Sequence, residues 1–251
     1  MSVLEKVYSL ETERIIWQYM ENEPRIQYIK MEENLGISGN SNRALQAAKG
    51  AYVALLDHDD VLTEDALYWV VDALQRERYD VVYSDEDRMA ENGSHYLEPR
   101  FKPEFDIDLL RAYNYISHLF VARRELMLAD GGFHSQYDGA QGYDMILRCC
   151  EGNREICHIP RVLYHKRIHD GTSSEREAKH AQENLAGKEA LEAHVSREHL
   201  LARVMMTDQR SVYTVKYDTP GNPLVSMIIT GHTNRSLMEQ MLEHLRENTV
   251  Q

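Results

Sequence analysis

Two periods of apolar positions alternate along this chain. A helical period over residues 3–21 gives way to the short apolar run Arg25-Ile-Gln-Tyr-Ile-Lys-Met31, which reads as a strand. A helix near 39–49 follows, with Gly50 suited to cap its end, and residues 51–57 form the next strand. Leu67, Val70, Val71 and Leu74 then fall at i, i+3, i+4 and i+7, predicting a helix that buries that face ahead of strand 80–84. From Asp85 to Phe105 the pattern lapses into a polar segment with Gly93, Pro99 and Pro103, which reads as a long functional loop over the site. A helix near 106–113, a strand at 116–121, a turn at Gly131-Gly132, a helix near 143–150 and a strand at 156–159 complete the alternation. Strands alternating with helices predict an α/β fold with a mostly parallel sheet flanked by helices.

Beyond residue 175 the pattern changes. Residues 175–200 predict one long charged helix with a solvated face, and strands follow at about 202–207 and 212–218. Pro220-Gly-Asn-Pro223 punctuates the chain as a boundary. After it, Leu224-Val-Ser-Met-Ile-Ile-Thr230 reads as a strand apolar on both faces. A helix near 235–247 follows, with Leu237, Met241, Leu242 and Leu245 on one side.

The densest chemistry lies in Tyr52-Val-Ala-Leu-Leu-Asp57-His-Asp59-Asp60-Val-Leu-Thr63, where an apolar strand ends in three carboxylates. Ligands of open α/β sheets bind beyond the carboxyl ends of strands. Hard cations such as Mg²⁺ or Mn²⁺ prefer one or two carboxylates plus substrate phosphates. Thr63, Glu64 and Asp65 are accounted for by the start of the next helix, with Thr63 as N-cap. Asp57, Asp59 and Asp60 are not, because like charges gathered together need a cation or solvent to offset their repulsion.

Charge sharpens this. With 28 basic and 41 acidic residues the formal net charge is −13, which argues against nucleic acid held by a broad basic surface. A phosphate ligand then requires a local device such as a metal. Cys149, Cys150 and Cys157 lack zinc spacing and are too few for a disulfide framework, which places the expected compartment in the cytosol. No apolar run approaches the ~20 residues of a membrane span, so any membrane contact is expected to be peripheral, at the inner face of the cell membrane. Of the 12 histidines, His118 and His158 lie in strand-like runs and read as core or edge residues. His165 and His169 sit four apart in an extended run, so only one of them is expected to be a metal ligand.

Several ordered segments together resemble family 2 glycosyltransferases of the GT-A (Rossmann-like) fold, over most of the chain. They are Glu33-Asn-Leu-Gly-Ile-Ser-Gly39 with Asn42, Ala48-Lys-Gly50, and Leu55-Leu-Asp57-His-Asp59-Asp60. Tyr83-Ser-Asp-Glu-Asp87, Phe101-Lys-Pro103, Asn114-Tyr-Ile116 with His118, and Ile159 through His169 resemble the bacterial branch that makes surface polysaccharides. The resemblance implies a nucleoside-diphosphate sugar donor, a glycan or lipid-linked glycan acceptor, and inverting transfer. It also implies Asp57 on the nucleotide, and Asp59 and His169 on a Mg²⁺ or Mn²⁺ ion. Asn34, Gly36 and Asn42 are nucleotide-sugar contacts on this resemblance, and turn and helix-start residues on local chemistry alone.

The chain departs from that pattern in three places. In Asp138-Gly-Ala-Gln141-Gly142-Tyr-Asp144, Gly142 occupies the position at which the family carries its catalytic acid, leaving Asp144 or Asp138 as substitutes; helix N-terminal charge also accounts for Asp144. The sheet is expected to be incomplete at the N-terminus, with residues 1–219 forming a partial domain that lacks its first two strands. Residues 220–251 are expected to begin a second glycosyltransferase domain, or to form a β-α unit that completes the sheet. Two other readings compete: a non-catalytic interaction module, and a haloacid dehalogenase-type phosphohydrolase with Asp57 as nucleophile.

Overall fold

A computed structural model describes residues 2–5, 10–129, 131–168, 174–221, 223–230 and 234–248. The chain divides into two compact units, Met1–Asp218 and Thr219–Gln251. The first opens with strand β1 (Ser2–Glu5), helix α1 (Leu10–Asn22) and strand β2 (Gln27–Lys30). Residues 2–5 are therefore not helical as their pattern predicts. Their backbone pairs in parallel with β2, from Ser2↔Gln27 to Glu5↔Lys30, and tertiary pairing overrides a weak local propensity. Helix α2 (Gly36–Ala47) and strand β3 (Tyr52–Leu55) follow, then the short β4 (Val61–Leu62), α3 (Ala66–Arg76), β5 (Val81–Met89) and β6 (Tyr96–Arg100). Next come α4 (Ile107–Ala112), β7 (Phe120–Arg123), α5 (Arg124–Leu128), a 3₁₀ turn at Ser135–Tyr137, α6 (Gln141–Cys149) and β8 (Ile156–Arg167). The long α7 (Ser174–Arg197) and the antiparallel pair β9 (Ala202–Met206) and β10 (Tyr213–Tyr217) close the unit.

The main sheet has the order β3-β7-β5-β8-β4, with β6 paired to β5. Strands β3, β5 and β8 run in one direction, and β7 is inserted antiparallel between β3 and β5. Alternation along the strands sorts the core into two layers. Val81, Tyr83, Phe120 and Ala122 pack with Met145, Ile146 and Leu191 of α6 and α7. Val82 and Val121 pack on the other face with Ala66, Val70 and Ala73 of α3. The buried face of α3 is thus rotated from the expected one. Leu67 and Val71 are exposed, because small alanines at 66 and 73 let this helix approach the sheet closely.

The polar segment from Asp85 is also no loop. β5 runs on to Met89 and turns back through β6, and Asp85, Glu86 and Asp87 are buried. Each carboxylate has its own compensation. Asp85 accepts from the Lys102 backbone N–H (2.8 Å) and meets His158 Nε2 at 2.8 Å. Glu86 pairs with Lys102 (3.3 Å), and Asp87 meets His165 Nδ1 at 2.6 Å. Between Ile159 and Val162 the register of β8 against β5 skips two residues, at the proline that has no N–H to donate.

In the second unit, helix α8 (Arg235–Asn248) forms, but residues 223–230 have no regular structure. Leu224 and Ile228 are 96% and 91% exposed, so the expected strand 224–230 is not made. An extended apolar segment becomes a strand only when a neighbouring strand accepts its backbone hydrogen bonds.

Candidate functional site

Beyond β3 the backbone turns tightly, with the Asp60 N–H donating to the Asp57 carbonyl (3.2 Å). β4 then locks antiparallel to β8, pairing Val61 with His165 and Leu62 with Tyr164. Helix α3 follows at once. Its N-cap position is held by Asp65, not Thr63; the Thr63 hydroxyl donates to the Asp65 carboxylate (2.8 Å), as does Trp69 Nε1 (2.8 Å).

The carboxylates of this turn meet side chains from distant strands. Tyr164 donates its hydroxyl to Asp60 (2.6 Å) and accepts from the Asp57 N–H (3.3 Å). The Arg167 N–H donates to the other Asp60 oxygen (2.8 Å), and its Nε donates to the Asp59 carbonyl (2.7 Å). His118 stacks on the Tyr164 ring at 4.6 Å and brings Nε2 within 3.9 Å of Asp57. Ligand atoms of Asp57, Asp60 and His118 lie within 4.8 Å of one another.

His118 owes its aim to two buried groups. Glu86 accepts from the His118 N–H (3.2 Å), and the Lys102 ammonium donates to the carbonyls of Ile116 (2.7 Å) and His118. Asn114 accepts from the Ser117 N–H (3.1 Å), fixing the turn before it. This explains why the observed strand β7 begins only at Phe120.

The electrostatics suit a cation. Burial, reinforced by the charges of Lys166 and Lys102, lowers the His118 pKa to about 3, so the imidazole is neutral and ready to ligate. Asp57 keeps solvent contact. Even so, the surrounding turn removes water from its carboxylate and, with the Asp60 charge beside it, raises its pKa. Burial lowers the Lys102 pKa to about 8 against the pull of Glu86. Two carboxylates and an imidazole are a donor set that Mg²⁺ or Mn²⁺ accepts, so these residues fit a divalent ion.

The cluster contains Asp57 and Asp60 and adds His118. Asp59 lies outside it, 3.8 Å from His58, and His169 lies outside the described residues. Sequence reasoning placed His118 in the core or at an edge and did not bring it to this cluster; its only signal was its place among the matched segments.

The remaining expected site residues gather elsewhere. Asn34 accepts from the Gly36 N–H (3.2 Å). Gly36 has a φ of 74°, a left-handed value that favours glycine, and a side chain there would press on Asp138. Asp138 accepts from the Ser38 hydroxyl (2.5 Å). So Asn34, Gly36 and Asp138 share one surface.

Asn42 and Asp144 are each engaged by neighbouring residues. The Asn42 amide donates to the Phe133 carbonyl (2.8 Å) and accepts its N–H (2.7 Å), and a side chain at Gly132 would collide with it. Asp144 is wholly buried, bound by Arg148 Nε (3.0 Å) and Nη2 (2.8 Å), with His134 at 3.2 Å.

A sheet of this order, with an acidic cluster at the carboxyl end of β3 and an imidazole facing it, defines a GT-A type α/β protein. The fold agrees with the crystal structure of Staphylococcus aureus TarS residues 1–349 in complex with UDP-GlcNAc. That likeness has a TM-score of 0.56 at 17% identity and covers 74% of this chain and 56% of TarS 1–349. Residues 9–128 match the sequence model of Glycosyl transferase family 2. The chain is 36% identical over 244 residues to the uncharacterized protein y4gI of Sinorhizobium fredii, covering 96% of this chain and 27% of that protein. It is 33% identical over 238 residues to the O-antigen biosynthesis protein RfbC of Myxococcus xanthus, covering 94% and 18%. Residues 9–128 belong to glycosyltransferase family 2, and the chain spans about a quarter or less of the length of these two relatives.

Proposed function

We propose that this chain moves a sugar, with inversion, from a nucleoside-diphosphate donor to a glycan acceptor of the cell surface. The observation that carries this reading is the grouping of Asp57, Asp60 and His118 at the end of β3. TarS was solved with a nucleotide sugar, and RfbC is named for O-antigen biosynthesis; both support the donor and acceptor classes. We assign Mg²⁺ or Mn²⁺ to Asp57, Asp60 and His118, with Asp59 and His169 as the further ligands that the family resemblance suggests. A bound cation supplies charge neutralisation at the departing diphosphate.

The protein's own residues do the rest. Tyr164 and the Arg167 N–H orient Asp60, while Glu86 and Lys102 hold the His118 turn. Inversion needs a carboxylate that takes the acceptor hydroxyl's proton on the face opposite the leaving group. Of the two substitutes for the missing acid at Gly142, we assign this role to Asp138, because Asp144 is closed off in its ion pair. Calorimetric titration of the chain with UDP should show binding that requires Mn²⁺ and falls roughly tenfold or more in Asp60→Ala. Binding indifferent both to Mn²⁺ and to Asp60 would overturn the assignment. We place the reaction at the cytoplasmic side of the membrane. No helix among the described residues is long and apolar enough to cross a membrane.

A further inference from the structure

A cleft of about 260 Å³ opens between the β5–β6 hairpin and the end of β8, lined by Glu86, Arg88, Arg100, Lys166, Arg167 and Ile168. Four of these six side chains are cations, in a chain whose net charge is −13. Their compensation is incomplete. Arg88 pairs with Glu98 (2.9 Å), but Arg100 reaches Glu86 only at 3.7 Å, and Lys102 also draws on that carboxylate (3.3 Å). Arg167 spends its guanidinium on the carbonyls of Asp59 (2.7 Å) and Glu91 (2.6 Å), which are neutral, and no salt bridge to it is found among the described residues. Four cations held together in this way repel one another, and an entering anion adds to the partial compensation that Glu86 and Glu98 supply.

The cleft adjoins the acidic cluster without belonging to it. Arg167 bridges the two, and the charge of Lys166 acts on both Asp57 and His118. Its volume lies below the ~300–1,000 Å³ of sites for drug-sized ligands. That is room for one sugar unit.

Resting on the transferase reading above, we infer that this cleft takes the carboxylate of an acidic sugar in the acceptor, so that the preferred acceptor is an anionic, uronate-bearing glycan. The paired N–H donors of a guanidinium match a carboxylate's two oxygens, and four cations lining one small cleft give the contact charge selectivity as well as affinity. A neutral hexose would leave those cations desolvated and unpaired, which disfavours it.

The test uses the whole chain with Mn²⁺ and three kinds of probe: oligogalacturonate and hyaluronan oligosaccharides, the methyl ester of each, and UDP. At least one acid should bind saturably and its ester ~10-fold or more weaker. Arg88→Gln and Arg100→Gln should each weaken the acid several-fold, about three- to tenfold, while UDP affinity stays within about twofold. Equal binding of acid and ester, or no saturable binding of either acid, overturns the inference while leaving the donor site intact. Loss of UDP affinity in both variants would overturn it differently, by showing that the cleft serves the donor diphosphate. Absence of UDP binding in the unaltered chain would instead count against the transferase reading itself.

Discussion

Replacing Asp144 by asparagine separates a structural carboxylate from a catalytic one. Asp144 is wholly buried, and the Arg148 side chain is 3% exposed. Arg148 gives two hydrogen bonds to the same carboxylate oxygen and a third to the Gly132 carbonyl (2.6 Å). Among the described residues, Asp144 Oδ1 and Arg148 Nη1 have no hydrogen-bond partner, so the pair is held by charge more than by complete hydrogen bonding. Asparagine keeps an acceptor oxygen but removes the charge, leaving a buried guanidinium unpaired. Breaking a buried pair in this way costs about 3–5 kcal/mol. At ~2–4 °C per kcal/mol for a domain of this size, the midpoint should fall by roughly 6–20 °C. Thermal and urea unfolding followed by circular dichroism reads that shift directly. Replacing both partners with apolar residues, Asp144→Leu with Arg148→Met, should recover most of it, because a well-packed apolar pair is often as stable as a buried ion pair. A single Asn variant that melts within about 2 °C of the unaltered protein, yet loses transfer, would refute the argument and make Asp144 the base.

The other predictions concern protons and the missing acid. His118 has a pKa lowered from 6.5 to about 3, so the unfolded chain binds its proton first, and the stability this contributes is lost as pH falls below about 6.5. Between pH 6.5 and 5 the loss is at most about 2 kcal/mol; metal-free denaturation at pH 7 and 5 should show a smaller drop in His118→Gln, and an equal drop would sink the claim. At Gly142 an added side chain meets nothing within 4 Å, so Gly142→Asp should fold with stability unchanged or raised by about 0.5 kcal/mol from the helix dipole. Transfer lost in Asp138→Asn should return, by about 10²-fold or more, when Gly142→Asp is added, and failure to return would place the proton acceptor elsewhere.

What the sequence disclosed and what it withheld divide along sequence distance. Asp57 to Asp60 stood out because three carboxylates close together follow an apolar strand, and no local chemistry accounts for all of them. Helices α3, α6 and α7 were legible because their periods repeat within a few residues. The polarity of Asp85, Glu86 and Asp87 read as a loop because what neutralises them comes from far along the chain. His158 lies 73 residues beyond Asp85, and His165 lies 78 beyond Asp87. A buried carboxylate and a solvated one look alike until the partner is placed. His118 was hidden for the same reason, since Glu86, 32 residues earlier, and Lys102 turn its ring toward Asp57. The expected strand 224–230 failed in the opposite sense, because its apolar run met every local criterion and lacked only a neighbour. Both errors come from reading a segment's polarity as its fate. The outcome is decided by whether another segment supplies the missing charge or the missing hydrogen bonds. The motif residues Lys102, Asn114 and His118 are then one device: a buried cation and a turn that deliver an imidazole to an acidic loop.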